Sequence, residues 1–145
     1  MIVQFYHLTE TPLEKALPRV LEKAYQQGIR CLVVAKDEAQ ATLLDQALWT
    51  YHPQAFLPHG MDTGPEPARQ PILLATDETD ANGATLFCTT AGRIPARGYE
   101  RVVDMVDGFD DAGIARAQER RAAYRAQGAQ LRCFRQEKGA WVEGE

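Results

Sequence analysis

Apolar and polar positions alternate along the chain in stretches that read as strands and helices. Residues 3–8 are apolar and aromatic and predict a short strand. Thr11-Pro12-Leu13-Glu14 predicts a helix start, with Thr11 as the cap, Pro12 at the first helical position and Glu14 closing a capping box. Leu13, Leu17, Val20, Leu21 and Ala24 then recur at helical spacing, so one face should be buried. Pro18 lies inside that helix and is expected to kink it, and Gly28 to end it in a left-handed C-cap. Residues 31–35, Cys-Leu-Val-Val-Ala, form the continuous apolar run of a central parallel strand. Asp37, with Gln40 three residues on, starts a second helix that carries Leu43, Leu44, Ala47 and Leu48 on its inner side and ends near Trp49. Strand, helix, strand, helix with short links predicts a right-handed parallel crossover.

Residues 50–70 lose helical periodicity and are rich in proline and glycine, predicting an ordered or semi-ordered loop. Strands return at residues 71–75, 85–89 and 101–106, with turn chemistry at Asp80-Ala81-Asn82-Gly83. The alanine- and arginine-rich residues 110–127 predict a third helix ending at Gly128, and residues 131–142 a terminal strand or an extended tail. The expected architecture is one α/β domain over residues 1–145, a mostly parallel central sheet flanked by helices.

Composition then limits the chemistry. A chain of 145 residues with 45% hydrophobic residues can bury one core without staples. Mean hydropathy is −0.37, and no apolar run approaches the roughly 18 residues of a spanning helix. No signal-peptide pattern opens the sequence, and Cys31, Cys88 and Cys133 are odd in number and far apart. The expectation is a cytoplasmic, reduced protein with neither a disulfide framework nor a zinc motif. The sequence contains no serine, which excludes a serine nucleophile. Neither a phosphate-cradling P-loop nor a Gly-x-Gly-x-x-Gly fingerprint occurs, so no cofactor is expected. His7, His52 and His59 lack metal-site spacing, and Asp104 and Asp107, three apart on a strand, should point to opposite faces.

Net charge is −4, but residues 110–138 carry seven basic side chains against four acids. That run suits a solvated helix face or a patch for a short acidic peptide, whereas the acidic whole suits duplex DNA poorly. Arg116 and Arg120 share a helix face, as do Arg121 and Arg125, and either pair beside an apolar pocket could hold a carboxylate. The second candidate surface is the loop after the second helix. Trp49, Tyr51, Phe56, Leu57 and Pro58 crowd into ten residues of turn formers, the mark of an aromatic protein interface. The alternative is that these side chains fold back onto the core.

Those segments also carry a family resemblance. Leu44-Asp45-Gln46-Ala47-Leu48-Trp49-Thr50-Tyr51, followed by Phe56-Leu57-Pro58-His59-Gly60, closely resembles the signature of the chi subunit of the bacterial DNA polymerase III holoenzyme. Supporting blocks are Phe5-Tyr6, residues 71–74, Asn82-Gly83, residues 101–103, and Ala123-Tyr124-Arg125-Ala126 before Gly128. The resemblance implies a Rossmann-like domain without a phosphate-binding loop and a non-catalytic role in replication. It implies that the chain links the clamp loader, through psi or an equivalent partner, to the acidic, phenylalanine-ended tail of single-stranded-DNA-binding protein, meeting DNA only through the complex and no membrane. The psi-facing residues would be Trp49, Tyr51, Phe56, Leu57 and Pro58, and the tail would meet Arg116, Arg120, Arg121 and Arg125. Family members usually place an aromatic and a lysine before Ala-Tyr-Arg; here Arg121 and Ala122 stand there, so the positive charge sits one residue earlier.

Two other readings stand beside this one. A degenerate nucleotide-binding enzyme would need a phosphate loop after Leu8 or Ala35, where Thr9-Glu10-Thr11 and Lys36-Asp37-Glu38 are acidic and short of glycine. A chi-like adaptor could also use its aromatic loop on a helicase-like repair partner.

Overall fold

The computed structural model describes residues 1–51 and 57–144. In chain order these form β1 (Ile2–Leu8), α1 (Leu13–Gln26), β2 (Cys31–Val34), α2 (Glu38–Thr50), β3 (Gly60–Met61), β4 (Ile72–Ala75), β5 (Leu86–Thr89), β6 (Arg101–Asp107), α3 (Asp111–Ala126), β7 (Gln130–Glu137) and β8 (Ala140–Glu143). The strands make one sheet in the order β3-β4-β2-β5-β6-β1-β7-β8, parallel throughout except for the antiparallel pair β7–β8. This is the α/β domain with a mostly parallel sheet that the periodicity predicts.

The sheet is covered on both faces, and the direction of each crossover dictates which face its helix takes. Connections through α1 and α2 run toward the β3 edge, whereas α3 runs the other way, from β6 over β1 to β7. Crossovers of one hand that travel in opposite directions must lie on opposite faces. Leu17 and Leu21 of α1 and Leu44 and Leu48 of α2 therefore pack on Cys31, Val33, Leu74, Cys88 and Val103. Ala117 and Tyr124 of α3 pack on Val3, Phe5, Val102 and Val106 from the other side. Each central strand feeds both layers through its two-residue alternation.

Helix ends show where local signals hold and where they do not. The expected left-handed C-cap forms at Gly28 (φ +74°), and Gly128 (φ +82°), where the third helix was expected to end, adopts the same conformation. The amides after them, Ile29 and Ala129, donate back to the carbonyls of Ala24 and Tyr124. The capping box at Thr11 does not form. Pro12 is the cap residue of α1 without a side-chain bond. The Thr11 hydroxyl instead accepts from the Gln136 side chain of β7 at 2.6 Å, and the amides of Thr9, Glu10 and Thr11 donate to the same side chain's oxygen. A distant carboxamide outcompetes the local cap because one oxygen satisfies three neighbouring amides. α1 runs on through Pro18, which is buried.

Three further expectations change. Leu43, assigned to the inner side of α2, is 45% exposed, because Ala41, Leu44 and Leu48 already fill the buried stripe. The segment read as loop contributes edge strand β3 and a short 3-10 turn at Pro67–Arg69. Residues 131–142, read as one strand or a tail, fold into the β7–β8 hairpin, turning at Lys138 and Gly139, both with positive φ.

Candidate functional site

The end of α2 carries an exposed aromatic held in place from below. Asp45 and Trp49 lie one turn apart on the helix. The buried His59 reaches both: its Nε2 is 3.0 Å from the Asp45 carboxylate, and its ring centre is 5.0 Å from that of Trp49 in an edge-to-face arrangement. Its Nδ1 lies 2.7 Å from the Leu57 carbonyl. The polar residues of the Leu-Asp-x-x-Leu-Trp and Phe-x-Pro-His blocks thus bond to each other across 14 residues.

Above this clasp Trp49 is 56% exposed, a large apolar side chain left in water. Tyr51 is half-buried, and its hydroxyl donates to Glu22 of α1 at 3.3 Å. Burial, then Glu22, raises its pKa. A groove of about 490 Å³ between α1 and α2 ends at Tyr51 and is lined by Pro18, Leu43, Ala47 and Thr50. Pro58 is half-buried, whereas Leu57 is 3% exposed and belongs to the core, so it supports this surface from beneath. Phe56 and His52 lie outside the described residues. Leu43 is the residue that sequence reasoning missed. The available signal was its place two positions beyond Ala41, off the stripe of Ala41, Leu44 and Leu48.

The four arginines of α3 divide between two places. Arg120 turns inward, donating from Nε and a terminal nitrogen to the Asp104 carboxylate of β6 at 2.7 and 3.0 Å. Its side chain is only 12% exposed and that of Asp104 is fully buried. Burial raises the Asp104 pKa against the opposing pull of Arg120. Arg116 lies 3.7 Å from Asp110 and, with Arg120, lines a crevice at the carboxyl ends of the strands. Arg121 and Arg125 instead border a small hollow of about 150 Å³ together with Leu131 and Cys133 of β7. The pairings expected on one helix face hold, but Arg120 is committed to a buried ion pair that the local sequence does not reveal.

The crevice of about 720 Å³ deserves comparison with nucleotide-binding folds, which take ligands outside the carboxyl ends of parallel strands. Here the groups that would cradle phosphate are already engaged. The amides after β1 bond to Gln136, the Lys36 amide to Gln40, and the Gln40 amide to its cap Asp37. Arg120 packs against Gly92 so closely that an added Cβ would fall 2.6 Å from its guanidinium. Glu10, Glu14, Asp107 and Asp110 also line it against Lys36, Arg116 and Arg120, and both arginines are already paired with carboxylates. Among the described residues no cluster of three metal-ligating side chains occurs, and no helix is long and apolar enough to cross a membrane.

Comparison with known proteins bears on the same residues. The family model of the DNA polymerase III chi subunit, HolC, matches residues 1–132. The chain is 31% identical to DNA polymerase III subunit chi of Pseudomonas aeruginosa, over 81% of this chain and 82% of that protein. It is 28% identical to the chi subunit of Haemophilus influenzae, over 88% of this chain and 92% of that one. A third match, 33% identical, is the probable DNA polymerase III subunit chi of Rickettsia prowazekii, where it covers 57% of this chain and spans half the length of that relative. A match running from β1 through the Asp45–His59 clasp and α3 into β7 settles the kinship on which the signature blocks drew: this chain belongs to the DNA polymerase III chi subunit family.

Proposed function

We propose that this chain is an accessory subunit of the replicative polymerase complex that works in the cytoplasm by holding other proteins and turns over no substrate of its own. One surface, Trp49 with Leu43, Tyr51 and Pro58, docks psi or an equivalent clamp-loader partner. The other, Arg121 and Arg125 beside Leu131, takes the acidic, phenylalanine-ended tail of single-stranded-DNA-binding protein. The observation that carries this reading is the exposed Trp49 ring seated on the Asp45–His59 pair. An aromatic held by a neighbouring ring yet more than half exposed loses little rotamer freedom on binding and buries a large area, the property of an interface anchor.

The tail site is supported by charge and shape together. Arg121 and Arg125 give cations for a terminal carboxylate and its flanking acids, and Leu131 gives the hollow an apolar wall. Arg116 and Arg120, turned toward the crevice and paired with Asp110 and Asp104, contribute to the field and not to direct contact.

Titration of the purified chain with a tail peptide, and with the same peptide lacking its terminal phenylalanine, tests the second surface. Binding of the complete peptide alone is expected, weakening as salt rises. Equal affinity for both peptides, or none for either, removes the tail from this reading. For the first surface, Trp49→Ala should abolish co-elution with psi while leaving the melting temperature in place; retained co-elution would move the partner elsewhere.

A further inference from the structure

A groove of about 650 Å³ lies between α1 and the β7–β8 hairpin, on the sheet face opposite α3; it reaches Tyr51 at one end and shares Arg132 with the hollow beside Arg121 and Arg125. Three aromatic rings form one wall. Tyr6 and Phe134, register partners on β1 and β7, stack at 4.9 Å and 15°. Trp141 of β8 meets Tyr6 edge-on at 4.9 Å. Phe134 and Trp141 lie beyond residue 132, where the family match stops.

The facing wall is basic. Arg19 and Lys23 stand one turn apart on α1, and Arg101 enters from the start of β6. Arg132 lies over the Phe134 ring, 5.2 Å from its centre, and pairs with Glu143 through two bonds. Arg101 and Arg132 both lower the Tyr6 pKa against the burial that raises it, which places these cations at the ring cluster. Among the described residues lining the groove Glu22 is the one acid, and it already accepts from Tyr51. In a chain of net charge −4, this is a local concentration of cations.

We propose that this groove binds single-stranded nucleic acid, bases against the Tyr6–Phe134–Trp141 wall and phosphates along Arg19, Lys23 and Arg101. Every nucleotide brings one flat ring and one negative charge, so successive nucleotides match a groove that sets three rings beside the cations of α1 and β6. An acidic peptide with a single aromatic would use one ring of the three. The site is sequence-tolerant, since stacking accepts any base, and it adds a direct contact to the protein-mediated ones proposed above.

Fluorescence anisotropy of a labelled oligothymidylate, titrated with the full chain at low salt, tests it. Binding in the roughly micromolar range is expected, with log affinity falling linearly in log salt at about −0.7 per contacted phosphate. Arg19→Gln combined with Lys23→Gln should weaken binding several-fold at an unchanged melting temperature, and Trp141→Ala about tenfold. Arg69→Gln, at an exposed cation on the 3-10 turn, should leave it as it is. No anisotropy change at low salt overturns the proposal, as does equal binding by the double variant and the parent chain. So does a result in which an acidic aromatic peptide binds in a Trp141-dependent way and the oligonucleotide does not.

Discussion

Arg120 and Arg125 sit on one helix and carry the same charge, yet their removal should have unlike consequences. Arg120 neutralises the buried Asp104, so Arg120→Ala leaves an uncompensated carboxylate in the core and should cost about 3–5 kcal/mol in a urea titration. Arg125 is exposed, and Arg125→Ala should change stability by less than about 0.5 kcal/mol while weakening the tail peptide. Loss of tail binding in an Arg120 variant would therefore report unfolding and not contact. His7 supplies a pH prediction at the same scale. Burial, then Arg121, lowers its pKa from 6.5, with Asp104 opposing. The unfolded chain then takes a proton before the folded one does, so stability should fall as pH drops below 6.5 and level off once the folded chain is protonated too. Comparing melting temperatures of the parent and His7→Gln between neutral and mildly acidic pH checks this, the variant losing that part of the slope. Glu10 and Glu78, lowered below 4.5, act in a separate and more acidic window, where protonation removes their stabilising contribution.

At the scale of elements, α2 and the segment after it behave as one unit through Asp45 and His59. If that pair orients Trp49, Asp45→Asn should weaken psi binding about tenfold with little change in melting temperature. A double-mutant cycle with the milder Trp49→Phe should then return a coupling of about 0.5–3 kcal/mol. Strict additivity would show that the pair serves the fold alone. The helix and strand periods made α1, β2, α2 and β6 readable, because each buried stripe repeats within a few residues. Leu57 was not readable in the same way. It stands among prolines and aromatics that resemble an exposed cluster, and only packing under α2 makes it core.

Across the whole molecule the two ends of the chain are tied together. Gln136 holds the amides of residues 9–11, while Glu10 accepts from the amides of Lys138 and Gly139. Gln136→Ala should lower stability by about 1–3 kcal/mol and speed hydrogen exchange at residues 9–11; unchanged exchange would mean that the Gln136 side chain is not what protects these amides. These bonds occupy amides that phosphate would need, and the acids of the crevice oppose phosphate independently, so the same variant should gain no nucleotide affinity while those acids remain.

The sequence by itself determined the strand and helix periods, the glycines that end two helices, the absence of a phosphate loop and the signature around Trp49. All of these are properties of neighbouring residues, written in spacings of two, three or four. Only the tertiary structure decided which arginines remain outward, that Gln136 displaces the Thr11 cap, that Asp45 bonds His59, and that Phe134 and Trp141 join Tyr6 in one wall. Those outcomes depend on distances through space between residues 14 to more than 120 positions apart, and no local period records such distances.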